Sequence, residues 1–136
     1  MEVEVNYRVI YGDTDCGGVM YYANYLKLFE IGRTELIRAL GITYKEVEEK
    51  YGIFLPVVES FVKYKASAFY DDLLTIKAQI TELKPYKVKF SCEIWREKEL
   101  LVEGYTLHVP LKAGKVVRFP KEVYQILEKG LVKEEK

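Results

Sequence analysis

The sequence predicts an α+β fold: one curved antiparallel sheet wrapped around a single long helix. Three observations carry this. Apolar residues recur at three- and four-residue spacing over one long stretch, from about Tyr22 to Leu40. From Ile53 onward the period changes to two and persists through several strands separated by short turns. No repeat or linker divides the 136 residues, so 1–136 is expected to form one domain with a charged tail from about residue 131.

The elements follow in order. Val3, Val5, Tyr7 and Val9 alternate with Glu2, Glu4, Asn6 and Arg8, the pattern of a half-buried strand. In the long helix, Tyr25, Leu28, Phe29, Gly32, Leu36 and Leu40 form the stripe, and Leu26, Ile31 and Ile37 widen it. Such a wide stripe predicts a helix enclosed on several sides. Gly32 costs about 1 kcal/mol against alanine in mid-helix, which predicts another backbone passing close. Gly41 supplies the stop. Glu30 and Glu35 are expected to be solvent-side charges paired with Arg33 or Arg38. Thr43 and Glu46 have capping-box spacing and open a short second helix ending at Gly52.

The strands come next. Val58, Ser60, Val62, Tyr64 and Ala66 oppose Glu59, Phe61, Lys63 and Lys65; Leu74 to Ile80 and Val88 to Ile94 alternate in the same way. Tyr70–Asp72, Lys84–Lys87 and Glu97–Glu99 are turns, and Leu101 to Leu111 is read as one long strand. A Pro120-initiated helix with Val123, Tyr124, Ile126 and Leu127 inward closes the fold. Aromatics on the far face of strands such as Val88–Trp95 fit a contact between copies.

Composition excludes several classes. Twenty-one basic and 21 acidic side chains cancel, so nothing global points to nucleic acid or an anionic membrane surface. No apolar run approaches 18 residues and the N-terminus lacks a signal-peptide pattern, so no membrane segment and a cytoplasmic location are expected. Cys16 and Cys92 lack zinc or disulfide-scaffold spacing and are expected to be buried or half-buried thiols. Two Asn and two Gln beside many Lys and Glu lean toward a thermophile, and predict a melting temperature above about 60 °C. Gly-x-Ser-x-Gly and the Gly-rich nucleotide loops are absent. His108 is the only histidine and is read as structural.

That leaves carboxylate chemistry, and the stretch Tyr11-Gly-Asp-Thr-Asp-Cys-Gly-Gly-Val-Met-Tyr-Tyr-Ala-Asn-Tyr25 supplies it. A helix starting near Tyr22 carries bare N–H groups and a partial positive charge in its first turn. Such an end stabilises a developing oxyanion. Gly17 and Gly18 turn the chain sharply, so Asp15 can face those N–H groups across a gap that fits a carbonyl carbon. An aspartate ahead of a helix also serves as a cap, and Gly-Gly as a plain turn. Asp-x-Asp also occurs in metal-dependent transferases, but no further ligand cluster accompanies it, and no cofactor is expected.

The same stretch resembles the signature of the 4-hydroxybenzoyl-CoA thioesterase family of hot-dog-fold enzymes, and within it the short bacterial acyl-CoA thioesterases associated with the Tol–Pal system. The likeness extends through Phe29-Glu-Ile-Gly-Arg-Thr-Glu35 and Phe69-Tyr-Asp-Asp-Leu-Leu-Thr-Ile76. It implies a hot-dog fold and hydrolysis of an acyl-CoA substrate, in a homodimer or homotetramer with the site between subunits. By position it implies Asp15 as the catalytic aspartate and Tyr22 as the residue whose backbone N–H faces the thioester oxygen, with Gly18 in the substrate loop. Ser67 falls near a polar contact, and Lys84 and Lys87 fall where basic residues meet the nucleotide phosphates. One departure is that many Tol–Pal-type members carry histidine where this chain has Tyr22. The alternatives are a non-catalytic acyl-CoA or partner-binding module of the same fold and, further off, a hot-dog dehydratase, which usually needs a histidine beside the acid.

Overall fold

The computed structural model describes residues 1–132. The long helix α1 (Asn24–Leu40) lies against a five-stranded antiparallel sheet made of β1 (Glu2–Arg8), β2 (Val57–Tyr64), β3 (Leu73–Lys84), β4 (Lys87–Arg96) and β5 (Glu99–His108), in the order β1-β3-β4-β5-β2. The predicted α+β hot-dog layout is what forms. The alternation in β3 and β4 buries Leu74, Ile76, Ala78 and Ile80, then Val88, Phe90, Cys92 and Ile94, beneath Leu28, Phe29, Leu36 and Ile37 of α1. A methyl at Gly32 would lie 2.8 Å from Ile76 Cγ2 and 3.2 Å from Ala78 Cβ. The close neighbour of Gly32 is therefore the side-chain layer of β3, not the backbone that the sequence suggested. Helix α2 (Tyr44–Tyr51) is capped as expected, with Thr43 Oγ1 accepting the Glu46 N–H at 3.1 Å. Glu30 pairs with Arg33 at 4.0 Å and Glu35 with Arg38 at 3.8 Å.

Four expectations need correction. Helix α1 starts at Asn24, two residues late, and Leu26 points to solvent. The long strand to Leu111 breaks after His108, because Pro110 has no N–H for the ladder. The chain resumes as the small hairpin β6 (Leu111–Lys112) and β7 (Lys115–Val116). Strand β2 buries neither face fully: Val57, Val58, Phe61 and Tyr64 are exposed, because β2 lies at the sheet edge beyond the cover that α1 gives the inner strands. Cys16 is exposed rather than buried, whereas burial of Cys92 pushes its thiol up to about 12.

The C-terminal helix α3 (Lys121–Gly130) packs Val123 and Leu127 inward. The expected charged tail is partly ordered: Leu131 bridges Ile80, and the Val132 N–H donates to Ile80 O at 2.9 Å. The rest of that tail lies outside the described residues. His108 ends β5 with its Nδ1 2.9 Å from Leu55 O and its Nε2 2.8 Å from Thr106 Oγ1. Burial pulls its pKa down to about 4, so it stays neutral and structural, as expected.

Candidate active site

The loop between β1 and α1 is a tight hairpin. Thr14 bridges Met20, the Asp15 N–H donates to Val19 O at 3.0 Å, and the Gly18 N–H donates to Asp15 O at 3.1 Å. Gly18 takes φ +81°, a left-handed angle that a Cβ resists. Asp15 stands near the tip on the first arm, exposed, and among the described residues its carboxylate accepts only the Gly17 N–H, at 2.8 Å to Oδ1. The second arm runs into Tyr22, just ahead of α1.

Among the described residues, no side chain caps the N-terminus of α1. Its first bonds are tight turns of the i→i−3 kind: Asn24 N–H to Tyr21 O at 2.9 Å, Tyr25 to Tyr22 and Leu26 to Ala23, both at 3.3 Å. The N–H groups of Tyr22 and Ala23 find no acceptor among the described residues. They are the bare amides that the sequence placed at the helix start, shifted so that they precede the first residue of α1.

A second segment floors the site. The Met20 N–H donates to Ala68 O at 2.8 Å, and the Ala68 N–H donates to the Tyr25 hydroxyl at 3.0 Å. Burial pushes the Tyr25 phenol up, so it stays protonated. Arg96 fixes the segment by donating to Ser67 O at 3.1 Å and to Asp72 Oδ2 at 2.8 Å. Between loop and segment lies a cleft of about 250 Å³ lined by Met20, Tyr22, Tyr25, Tyr64, Lys65, Ala66 and Ser67. Its aromatic wall is a chain of contacts: Tyr25 and Tyr64 with centroids 5.6 Å apart, Tyr22 and Tyr64 at 6.3 Å.

The arrangement offers an exposed carboxylate, two amides without an acceptor among the described residues, and a tyrosine-walled cleft of mixed polarity on one end of the sheet. The sequence model of the thioesterase-like superfamily matches residues 9–127. The chain belongs to that superfamily. The reaction class of this thioesterase-like chain is thioester hydrolysis. A protein of Haemophilus influenzae named acyl-CoA thioesterase YbgC is 36% identical over 118 residues, covering 85% of this chain and 87% of its own. The crystal structure of a hypothetical protein from Thermus thermophilus has a TM-score of 0.92 at 29% identity, covering 98% of this chain and 100% of its own. A structure described as a DHNA-CoA thioesterase from Staphylococcus aureus has a TM-score of 0.88 at 30% identity, covering 94% and 89%.

The predicted residues divide into two groups. Asp15, Gly18, Tyr22 and Ser67 gather at one end of the sheet. Lys84 and Lys87 face each other across the β3–β4 turn at the other end, roughly 35 Å along β3 from Leu73. Lys87 pairs there with Glu82 at 3.2 Å. Within one chain, the structure does not bring these lysines to the cleft. The sequence reading also passed over Asp13, Lys27 and the Ala23 N–H. Asp13 is buried: its Oδ2 accepts the Tyr7 hydroxyl at 2.8 Å and the Ile10 N–H at 3.1 Å, and its Oδ1 accepts Lys27 Nζ at 2.5 Å. Burial pushes this carboxyl up, but the bonds from Lys27, Tyr7 and Ile10 outweigh it and hold it below the ordinary range.

Proposed function

We propose that the protein hydrolyses acyl-CoA thioesters in the cleft beside Tyr22. The observation that carries this is the pair of unbonded amides, Tyr22 and Ala23, at the end of a hairpin that holds Asp15 exposed. The thioester oxygen would accept from these N–H groups, and charge developing on it would meet donors already oriented. Asp15 acts on the carbonyl carbon by one of two balanced routes. In the first, its carboxylate adds to the carbon and expels CoA thiolate, leaving a mixed anhydride that water cleaves. In the second, it takes a proton from a water whose oxygen adds to the carbon, and the resulting tetrahedral adduct breaks its C–S bond and expels CoA thiolate, leaving the free acid. Single turnover in labelled water separates them, because only the first puts label into Asp15.

The polar end of the substrate needs cations. Lys65 lines the cleft of the same chain. Lys84 and Lys87 reach it from a second copy. Strand β2 is an open edge with Val57, Val58, Phe61 and Tyr64 exposed, and its Tyr64 end is the cleft end. Two-fold antiparallel pairing of β2 with β2 reverses direction, so the far end of one sheet lies beside the cleft of the other. A homodimer or a tetramer of such dimers follows, with acyl-CoA bound between subunits.

Thiol release across a panel of acyl-CoAs, aryl and aliphatic, tests the activity, and light scattering tests the assembly. Turnover of at least one ester by a dimer or tetramer is expected; binding without release would leave a silent acyl-CoA module. Lys84→Ala with Lys87→Ala should raise KM for a CoA ester several-fold, in line with the loss of charge-assisted phosphate contacts, and should spare a truncated thioester. Equal loss on both substrates would remove the phosphate role.

A further inference from the structure

Asp13 is held by more partners than any cap requires. The first turn of α1 grips it twice from one helical face. Lys27 Nζ binds its carboxylate at 2.5 Å, and Asn24 Nδ2, three residues earlier, donates to its backbone carbonyl at 2.8 Å. The same carbonyl accepts the Tyr21 N–H at 2.8 Å. Strand β1 adds the Tyr7 hydroxyl, and Lys27 also donates to that hydroxyl at 3.1 Å and lies 5.3 Å from the Tyr7 ring centroid. Strand, hairpin and helix thus meet at one buried aspartate, whose main-chain carbonyl oxygen sets where Tyr21 lies. Tyr22, with its bare amide, is the next residue, and Asp15 is two residues along the other arm.

We propose that the Tyr7–Asp13–Lys27 cluster is a positioning device for the reaction: it fixes the Tyr22 and Ala23 amides relative to Asp15 without touching substrate. The inference rests on the thioesterase reading for its catalytic consequence, but the positioning itself can be observed without turnover. None of the three side chains lines the cleft, so loss of the cluster should slow chemistry and leave ester binding alone. An amide displaced by even part of an ångström loses much of its value to an oxyanion.

The test uses Lys27→Met, which keeps the helix and the Asp13 bonds to Tyr7 and Ile10, with Lys27→Arg as the conservative rescue. Hydrogen exchange at the Tyr21 amide should speed at least about tenfold in Lys27→Met, through opening of the hairpin base, while amides of β3 and β4 stay unchanged. Turnover per folded molecule should fall about tenfold with KM within about twofold, the signature of an interaction used in the transition state. Lys27→Arg should recover most of both effects. An unchanged Tyr21 amide, or acceleration shared equally by β3 and β4, would overturn the positioning role, as would a loss confined to KM. If the unaltered protein releases no thiol from any ester, the thioesterase reading falls, and the exchange data alone still decide whether the cluster holds the hairpin.

Discussion

Asp13 and Asp15 are the same residue two positions apart, and the fold uses them in opposite ways. Asp13 is 2% exposed, and its carboxylate accepts from Tyr7, Ile10 and Lys27. Asp15 is exposed, and a single neighbouring amide binds its carboxylate. A buried carboxylate with both oxygens engaged is a poor base or nucleophile, because using it means breaking its partners first. One held by a single bond keeps a free oxygen for chemistry. On the proposed reading, structure is concentrated in the first acid and reactivity is left to the second.

The largest expected effect tests the second half of that contrast. Asparagine at position 15 can still accept the Gly17 N–H through its side-chain oxygen, so the turn survives and only the charge is lost. Asp15→Asn should therefore unfold at the same temperature as the unaltered protein and lose at least about a hundredfold in turnover, roughly 2.7 kcal/mol of barrier. A variant with near-normal turnover would make Asp15 a turn-former and remove it from the proposed chemistry.

The first half is tested by stability. Asp13→Ala strands the Tyr7 hydroxyl and the Ile10 N–H, while Lys27, partly exposed, returns to water. A loss of about 2 kcal/mol follows from orphaning such groups, which lowers Tm by roughly 5–8 °C for a chain of this size. The pH dependence has a definite sign. The folded carboxyl lies below its ordinary value of 3.8, so the unfolded chain binds the proton first. Its contribution is complete above that value and is lost as pH falls through the lower, folded one. Lys27 is raised: burial pulls its ammonium down, but the bonds to Asp13 and Tyr7 outweigh it. Its contribution is complete below the ordinary value of 10.5 and is lost only as pH rises past it. The pair therefore stays intact across the neutral range. Acid unfolding curves of the Asp13→Ala protein should lack the loss seen in the unaltered protein below about pH 4.

How much of this was legible in the sequence depends on the range of the interaction. The sheet and the buried stripe of α1 were readable because alternation and three-four spacing are local signals that burial enforces. The sequence places the helix start two residues early because no capping side chain marks it among the described residues; Tyr22 and Ala23 belong to a turn that distant partners hold in place, among them the Asp13 and Ala68 carbonyls. Lys27 was invisible as a partner, since it meets Asp13 across 14 residues of chain and nothing in its own surroundings distinguishes it from a solvated lysine. The exposed β2 face misled for a different reason. Its alternation presumes a cover, and a single chain provides none. Lys84 and Lys87 were grouped with Asp15 by resemblance, and only the strand direction of β3 reveals that one chain keeps them apart.

The smallest expected effect sharpens the contrast most, because it acts on Asp15 without touching its charge. A methyl at Gly17 would lie 3.2 Å from Asp15 Oδ1, so the carboxylate must rotate by a few tenths of an ångström. The side chain is exposed and free to do so, and Gly17, unlike Gly18, does not hold a positive φ. Gly17→Ala should therefore leave stability within about 0.5 kcal/mol while reducing turnover about threefold through misplacement of the carboxylate. Gly18→Ala should instead cost about 1 kcal/mol through its left-handed φ of +81° alone, because nothing lies within 4 Å of the added methyl to clash with it. If Gly17→Ala instead destabilised the fold and left turnover unchanged, the Asp15 carboxylate would be bracing the hairpin, and the division of labour between the two acids would not hold.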